Sequence, residues 1–104
     1  MAKRPERERF IVGVQRVVIE MSGMDSLKAK RSVVSKIKDR VAAKWSVSVA
    51  EVGPQDTCDE AIIGIAAVSS DRSYLESMLN KIPEFIDELG VGRVISEDID
   101  ITIY

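Results

Sequence analysis

Two amphipathic helical patterns constrain the fold of this chain more than any other feature of its sequence. The first covers residues 26–45, where apolar residues recur at steps of three and four: Leu27, Val34, Ile37, Val41 and Trp45. The second starts after Ser70-Asp71, predicted to cap it, and stops at Gly90, with the apolar stripe Leu75, Met78, Leu79, Ile82, Phe85, Ile86 and Leu89. Such spacing places the apolar side chains on one helix face, so each helix is expected to pack against a sheet.

Four strand-like segments surround these helices. Residues 10–20 indicate a central strand, 46–52 alternate as an edge strand does, 61–69 are apolar enough to be at least partly covered on both faces, and 91–104 end in alternation. The order predicts an α+β fold, a ferredoxin-like βαββαβ sandwich in which two helices cover one face of a four-stranded antiparallel sheet. We assign residues 10–104 to this single domain and residues 1–9 to a flexible charged arm.

Two positions interrupt these patterns. Gly13 and the Gln15-Arg16 pair break the alternation of the first strand and predict a bulge. Pro83 lies inside the second helical pattern, where it removes the hydrogen bond to the Leu79 carbonyl. The sequence therefore predicts a kink, or a restart of the helix, at Pro83.

Composition excludes several classes of function. The chain has no histidine, which rules out a His-based metal site, a Ser-His-Asp triad and a Cys-His pair. The single Cys58 excludes an intramolecular disulfide and suits a reducing cytoplasm. Polar and charged residues interrupt the apolar run at 10–21, so neither a secretory signal nor a membrane span is expected. We expect a cytoplasmic protein without cofactor or metal.

Charge is segregated along the chain. Residues 1–45 hold twelve Lys or Arg and five Asp or Glu, whereas residues 46–104 hold three and twelve. The stretch 26–45 alone contains seven bases and one acid, Asp39. Since the whole chain has a net charge of −2, the sequence favours a confined basic patch over a general polyanion-binding coat.

An anion site is predicted where the first helix begins. Ser26 is the expected N-cap, and the site would combine free backbone N–H groups with the hydroxyls of Ser22 and Ser26 and the charges of Lys28, Lys30 and Arg31. Bases at this end oppose the helix dipole, and an anionic ligand would relieve that cost. The alternative is ordinary surface charge whose long stems cover the edge of the core.

A second candidate is a reader of the RNA backbone on the same helix. Lys36, Arg40 and Lys44 form a row at steps of four, flanked by Arg31 and Lys38. Such a row would bind phosphates with strong salt dependence and little sequence selectivity. The alternative is a solvated helix face that pairs with acids of the second half of the chain.

A catalytic carboxylate pair is the third candidate. Glu51 and Asp56 flank a turn, and two carboxylates in that position could act as general acid and base or bind Mg²⁺. Nothing in the sequence sets the distance between them. Simpler roles are a turn or capping position for Asp56 and an ion pair between Glu51 and a base of the first helix.

Several motifs carry a resemblance to a known family. They are Ser26-Leu27-Lys28-x-Lys30-Arg31, Lys38-x-Arg40, Val47-Ser48-Val49-Ala50-Glu51-Val52, Gln55-Asp56 and Gly64-Ile65-Ala66-Ala67-Val68-Ser69. Together they resemble the YlxP-like proteins, domain of unknown function 503, over residues 12–103. The resemblance implies a small ferredoxin-like bacterial protein, often encoded beside translation and ribosome-maturation factors, with no established activity.

Two hypotheses of function follow. The first is a non-enzymatic RNA- or ribosome-associated accessory protein that binds phosphate backbone through its basic first helix, with no DNA specificity. The alternative is a homodimeric protein-interaction module that uses the open sheet face, near Phe10, Val12 and Val14, and binds no nucleic acid. That face has few aromatic residues and does not resemble the RNA platform of RRM domains.

Overall fold

The computed structural model describes residues 9–21 and 23–104. Its strands are β1 (Ile11–Glu20), β2 (Ser48–Gly53), β3 (Glu60–Ser69) and β4 (Arg93–Ile103), and its helices are α1 (Leu27–Lys44) and α2 (Arg72–Glu88). Of the predicted N-terminal arm, residues 1–8 lie outside the described residues, and so does Ser22 of the predicted anion site.

The strands form one antiparallel sheet in the order β2-β3-β1-β4. β1 is central and pairs with β3 and β4, whereas β2 pairs with β3 and lies at an edge, as its alternating sequence predicted. This order, with a helix between β1 and β2 and another between β3 and β4, is the split βαβ arrangement. The predicted ferredoxin-like α+β fold is confirmed.

Side chains alternate between the two faces of the sheet. On β1, Val17 and Ile19 are fully buried beneath the helices, whereas Val14 and Arg16 point to the other face and are exposed. The buried strand residues form one core with α1 and α2. α1 contributes Val34, Ile37 and Val41, and α2 contributes Leu75, Met78, Leu79, Ile82 and Ile86. Both helices therefore cover the same face, and the opposite face is left open.

Both helices begin at residues that suit an N-cap. Ser26 Oγ accepts a hydrogen bond from the backbone N–H of Ala29 at 3.1 Å, and Asp71 Oδ1 accepts one from the N–H of Tyr74 at 3.1 Å. These contacts confirm both predicted caps, since each satisfies a donor of the first helical turn. α2 ends just before Gly90, whose φ of 71° lies in the left-handed region that glycine adopts without a Cβ penalty.

The bulge predicted at Gly13 and Gln15-Arg16 is wrong. β1 pairs with β3 in unbroken register through these residues, and the shift against β4 lies further along, between Val18 and Ile19. Gly13 breaks the alternation for another reason, because a Cβ at this position would lie 2.7 Å from Cδ1 of Leu79. The glycine allows α2 to pack closely against β1.

Pro83 does not interrupt α2, which continues as one helix from residue 72 to 88. The predicted restart is therefore wrong. Proline has no N–H, so the Leu79 carbonyl lacks its usual helical partner. The side-chain amide of Gln15, only 3% exposed in β1, donates a hydrogen bond to that carbonyl at 2.8 Å. A strand side chain thus replaces the helical bond that Pro83 removes.

β3 is less covered than its apolar sequence predicted. Its helix-facing residues Ile63 and Ile65 are buried, but Ala66 and Val68 on the other face are exposed, Val68 to 66%. Within the described residues no second layer packs on that face. Apolar side chains on a surface of this kind indicate an interaction site more often than apolar residues scattered singly.

Candidate nucleic-acid interface

Six of the seven basic residues of α1 lie outside its buried stripe. Five bases are exposed and Lys38 is half-buried; the exposed ones are Lys28, Arg31, Lys36, Arg40 and Lys44. At about 3.6 residues per turn they fall into two rows on either flank of the exposed surface. We call Lys36, Arg40 and Lys44 the inner row, and Lys28, Arg31 and Lys38 the outer row.

The charges of these rows are not neutralised within residues 9–21 and 23–104. The ion pairs among these residues join Arg16 to Asp98, Lys30 to Glu51, Arg72 to Glu76 and Arg93 to Glu20. None of them includes a base of the inner or outer row. The alternative that this helix face pairs with acids of the second half is therefore not observed in the described part of a single copy.

The inner row ends beside α2. The Nζ atom of Lys44 lies 5.4 Å from the ring centroid of Trp45 and 4.9 Å from that of Phe85, which is a cation–π geometry. The two rings meet edge to face, with centroids 5.1 Å apart. Trp45 is the only tryptophan of the chain, so its fluorescence reports on the end of the inner row.

α2 carries charge of the opposite sign next to α1. Glu84 and Glu88 line a small cleft between the helices together with Lys44 and Lys81. These carboxylates would repel a polyanion that extended across both helices. Of the two helices, α1 is therefore the one whose surface charge suits a polyanion.

Lys30 has a different role from the one predicted. Its side chain is 1% exposed, and its Nζ donates hydrogen bonds to the carbonyl oxygens of Pro54 at 2.5 Å and Thr57 at 2.7 Å. The Glu51 carboxylate lies 3.3 Å from the same nitrogen. Two carbonyls thus accept hydrogen bonds from the ammonium group and one carboxylate balances its charge, as a buried charge requires. Lys30 therefore does not belong to the predicted anion site, because its ammonium group is buried and bound to other groups of the protein.

The rest of the predicted anion site surrounds the start of α1. The Ser26 hydroxyl serves as N-cap for the N–H of Ala29, while Lys28 and Arg31 are exposed on the first turns. Exposed cations near a helix N-terminus suit an anion. Phosphate binding by Ser26, Lys28 and Arg31 stays a prediction.

Glu51 and Asp56 have separate surroundings. Glu51, on β2, pairs with Lys30, which confirms the simpler role of an ion pair with a base of the first helix. Asp56 is exposed in the bend that connects β2 to β3, in agreement with a turn position. The contacts of Glu51 are thus those of a structural residue.

Membrane-spanning helices and metal-binding clusters are both absent from the described parts of the chain. Neither α1 nor α2 is long and apolar enough to span a bilayer. Residues 9–21 and 23–104 contain no group of three or more Cys, Asp or Glu side chains placed to hold a metal ion.

The sequence matches a family of bacterial proteins whose function is unknown. The family model described as "Protein of unknown function (DUF503)" matches residues 12–99. A curated relative, "Uncharacterized protein YlxP" of Bacillus subtilis (strain 168), is 48% identical over 62 residues, which cover 60% of this chain and 67% of the relative. Neither description states an activity.

Solved structures with a similar backbone have low sequence identity. The structural-genomics protein YJCS has a TM-score of 0.51 at 5% identity, covering 86% of this chain and 96% of that one. A de novo designed protein with a ferredoxin fold, LFR1 1, has a TM-score of 0.48 at 16% identity, covering 89% and 83%. At such identities the likeness concerns the fold alone.

Proposed function

Because the chain belongs to the DUF503 family of proteins of unknown function, its role has to be inferred from its own surface, and we propose that it is an RNA- or ribosome-associated accessory protein. It would bind the phosphate backbone through α1 without catalysing a reaction. The proposal requires a cytoplasmic location, where ribosomal RNA is present.

One observation carries the proposal. The inner and outer rows present six bases on one helix, and none has an ion-pair partner among the described residues. Placing like charges together without partners is unfavourable, and a polyanion that displaces its own counterions on binding relieves the repulsion. Glu84 and Glu88 of α2 would repel the polyanion, so we expect it to contact α1 and not α2.

The chemistry of the two rows favours backbone binding over base reading. Lys and Arg side chains contact phosphates regardless of sequence, and the aromatic pair at the end of the inner row, Trp45 and Phe85, is already covered by Lys44. From Lys36 to Lys44 the inner row extends about 12 Å along the helix axis, enough for a short stretch of backbone. We therefore expect weak sequence preference and strong salt dependence.

The test is a titration of the protein against ribosomal RNA and isolated ribosomal subunits at low and physiological salt. Binding by the natural sequence is monitored through the fluorescence of Trp45. Reversal of the inner row, Lys36→Glu with Arg40→Glu and Lys44→Glu, is expected to weaken binding at least about tenfold. The slope of log affinity against log salt should become shallower by about 0.7 to 0.9 for each phosphate that the variant no longer neutralises. Because Lys44→Glu alters the Trp45 signal, the variants are compared by filter binding.

A matched control keeps the change in net charge but moves it to other surfaces. Arg72→Glu with Arg93→Glu, Ser73→Glu and Ser77→Glu makes the same change of −6 at exposed positions outside α1 and away from the cleft that Lys44 lines. The ion pairs that it removes are exposed and contribute little to stability. This variant should retain most of the binding. Equal binding by the inner-row variant, or no binding of the natural sequence at low salt, would overturn the proposal.

A further inference from the structure

One face of the sheet has no helix of the described residues on it, and large apolar side chains gather at one end of it. Phe10 and Tyr104 stack there with ring centroids 5.6 Å apart. By strand alternation Val14 on β1 and Val68 on β3 point to the same side, and they are 45% and 66% exposed. We call this uncovered side of the sheet the open face. Aromatic anchors of this kind are enriched at the centres of protein interfaces.

A groove of about 720 Å³ crosses the open face beside these side chains. Small residues line part of it, and the larger Val52 and charged side chains line the rest: Ala50, Gly64 and Ala66, then Val52, Arg16, Asp98 and Asp100. A Cβ on Gly64 would lie 2.9 Å from Cγ1 of Val52, so the glycine makes room for the Val52 side chain on this face. An apolar ridge next to a groove is the relief that two stacked sheets need in order to interdigitate.

The charges on the open face are suited to a copy of the same surface. Arg16 lies 3.5 Å from Asp98, and Asp100 beside them is exposed and has no ion-pair partner among the described residues. In a two-fold contact the same patch meets itself, so a patch with both signs can place a base of one copy against an acid of the other. A phosphate backbone would instead meet two carboxylates and one base.

The open face is also of the right size for a dimer. Its strands have ten, six, ten and eleven residues. At about 3.3 Å per residue and about 4.8 Å between strands, the sheet measures roughly 600 Å² in plan. A standard stable interface buries about 600 to 1,000 Å² per partner, so a contact that covers the whole open face reaches the lower end of that range.

We propose that a second copy of this chain covers the open face, giving a homodimer with two stacked sheets between outer helix layers. Stacked sheets lie about 10 Å apart, and the basic α1 helices would occupy opposite outer surfaces of the dimer. Their separation then exceeds the Debye length of about 8 Å at physiological ionic strength, so their charges do not oppose association. Each dimer would present two copies of the inner and outer rows.

Sedimentation equilibrium of the full chain between about 1 μM and about 1 mM tests the proposal. The expected mass is twice the 11.5 kDa of the chain. Val14→Lys with Val68→Lys should raise the dimer dissociation constant at least about tenfold, because lysines would be buried against the partner. Both side chains point away from the core, and circular dichroism would show that the variant is folded.

The matched control adds the same two charges to an exposed face of α2, as Tyr74→Lys with Ser77→Lys. It should leave the mass unchanged. A mass of one chain at every concentration would overturn the proposal, and so would a folded Val14→Lys, Val68→Lys variant that dimerises as well as the control. Because the open face and α1 are different surfaces, a failure of the dimer proposal would not decide the RNA proposal, which the RNA titration tests separately.

Discussion

Replacing Lys30 with methionine is expected to lower the free energy of unfolding by about 3 to 5 kcal/mol, because it removes one partner of a buried charge pair. Methionine fills a similar volume but leaves the carbonyls of Pro54 and Thr57 without their donor and the Glu51 carboxylate without its counter-charge. A domain of this size is stable by only about 5 to 15 kcal/mol, so the loss would be a large part of the total. Urea denaturation followed by circular dichroism measures it.

Lys28→Met is the matched control, since it makes the same substitution two residues away at an exposed position of α1. It should change the free energy of unfolding by no more than about 0.5 kcal/mol. The double variant Lys30→Met with Glu51→Gln should recover part of the loss, because the unpaired buried carboxylate is then neutral. A Lys30→Met variant as stable as Lys28→Met would show that the buried contacts do not hold the fold together.

Gln15→Leu is expected to lower the free energy of unfolding by about 1 to 2 kcal/mol, because the Leu79 carbonyl is then left without a donor beside Pro83. The expected loss lies in the lower part of the usual range, since leucine also removes Oε1 of Gln15, which is buried and has no hydrogen-bond partner among the described residues. The measurement is urea denaturation, with the slope checked to confirm that the unfolding transition keeps its cooperativity.

The role of Pro83 in this contact is tested by a double-mutant cycle. In a Pro83→Ala background the backbone N–H of residue 83 returns and can bond to the Leu79 carbonyl. Gln15→Leu should then cost clearly less than it does beside proline, and the difference between the two costs is the coupling energy. An equal cost in both backgrounds would mean that Gln15 stabilises the core by packing alone.

The proposed functions use opposite sides of one molecule. α1 presents its exposed bases on the outer side of the helix layer, whereas Val14, Val68 and the groove lie on the other face of the sheet. RNA binding and dimerisation are therefore compatible, although the sequence presented them as alternatives. A dimer that carries two basic helices would bind a long RNA with an avidity above that of one copy.

The fold followed from short-range patterns. Helical spacing, the caps at Ser26 and Asp71, the stop at Gly90 and the alternation of β2 each depend on neighbours within a few residues, and the structure confirms them. The prediction of a bulge at Gly13 was wrong because the glycine is needed for another reason. It leaves room for Leu79, which is distant in sequence. A glycine that allows close packing and a glycine in a bulge interrupt the alternation of a strand in the same way, so the sequence does not distinguish them.

The candidate site was predicted less completely. Exposure of the inner row agrees with its position beside the apolar stripe, whereas Lys30 was assigned to the anion site and is buried instead. Its spacing contained the contrary signal, since Lys30, Val34, Ile37 and Val41 follow one another at steps of four, three and four. A basic residue whose spacing places it among the buried apolar residues of a helix needs a hydrogen-bond acceptor from another segment of the chain.

Periodicity and charge along short stretches of chain were enough to define the order of the elements, the antiparallel sheet with helices on one side and the concentration of bases on α1. Tertiary packing was needed to show which base is buried and which bases stay unpaired, because the acceptors of Lys30 lie 24 and 27 residues away. It also placed Gln15 against Leu79, 64 residues apart, and brought Val14 and Val68 together on an uncovered face. Such contacts depend on which segments pack together, and no local pattern encodes that choice.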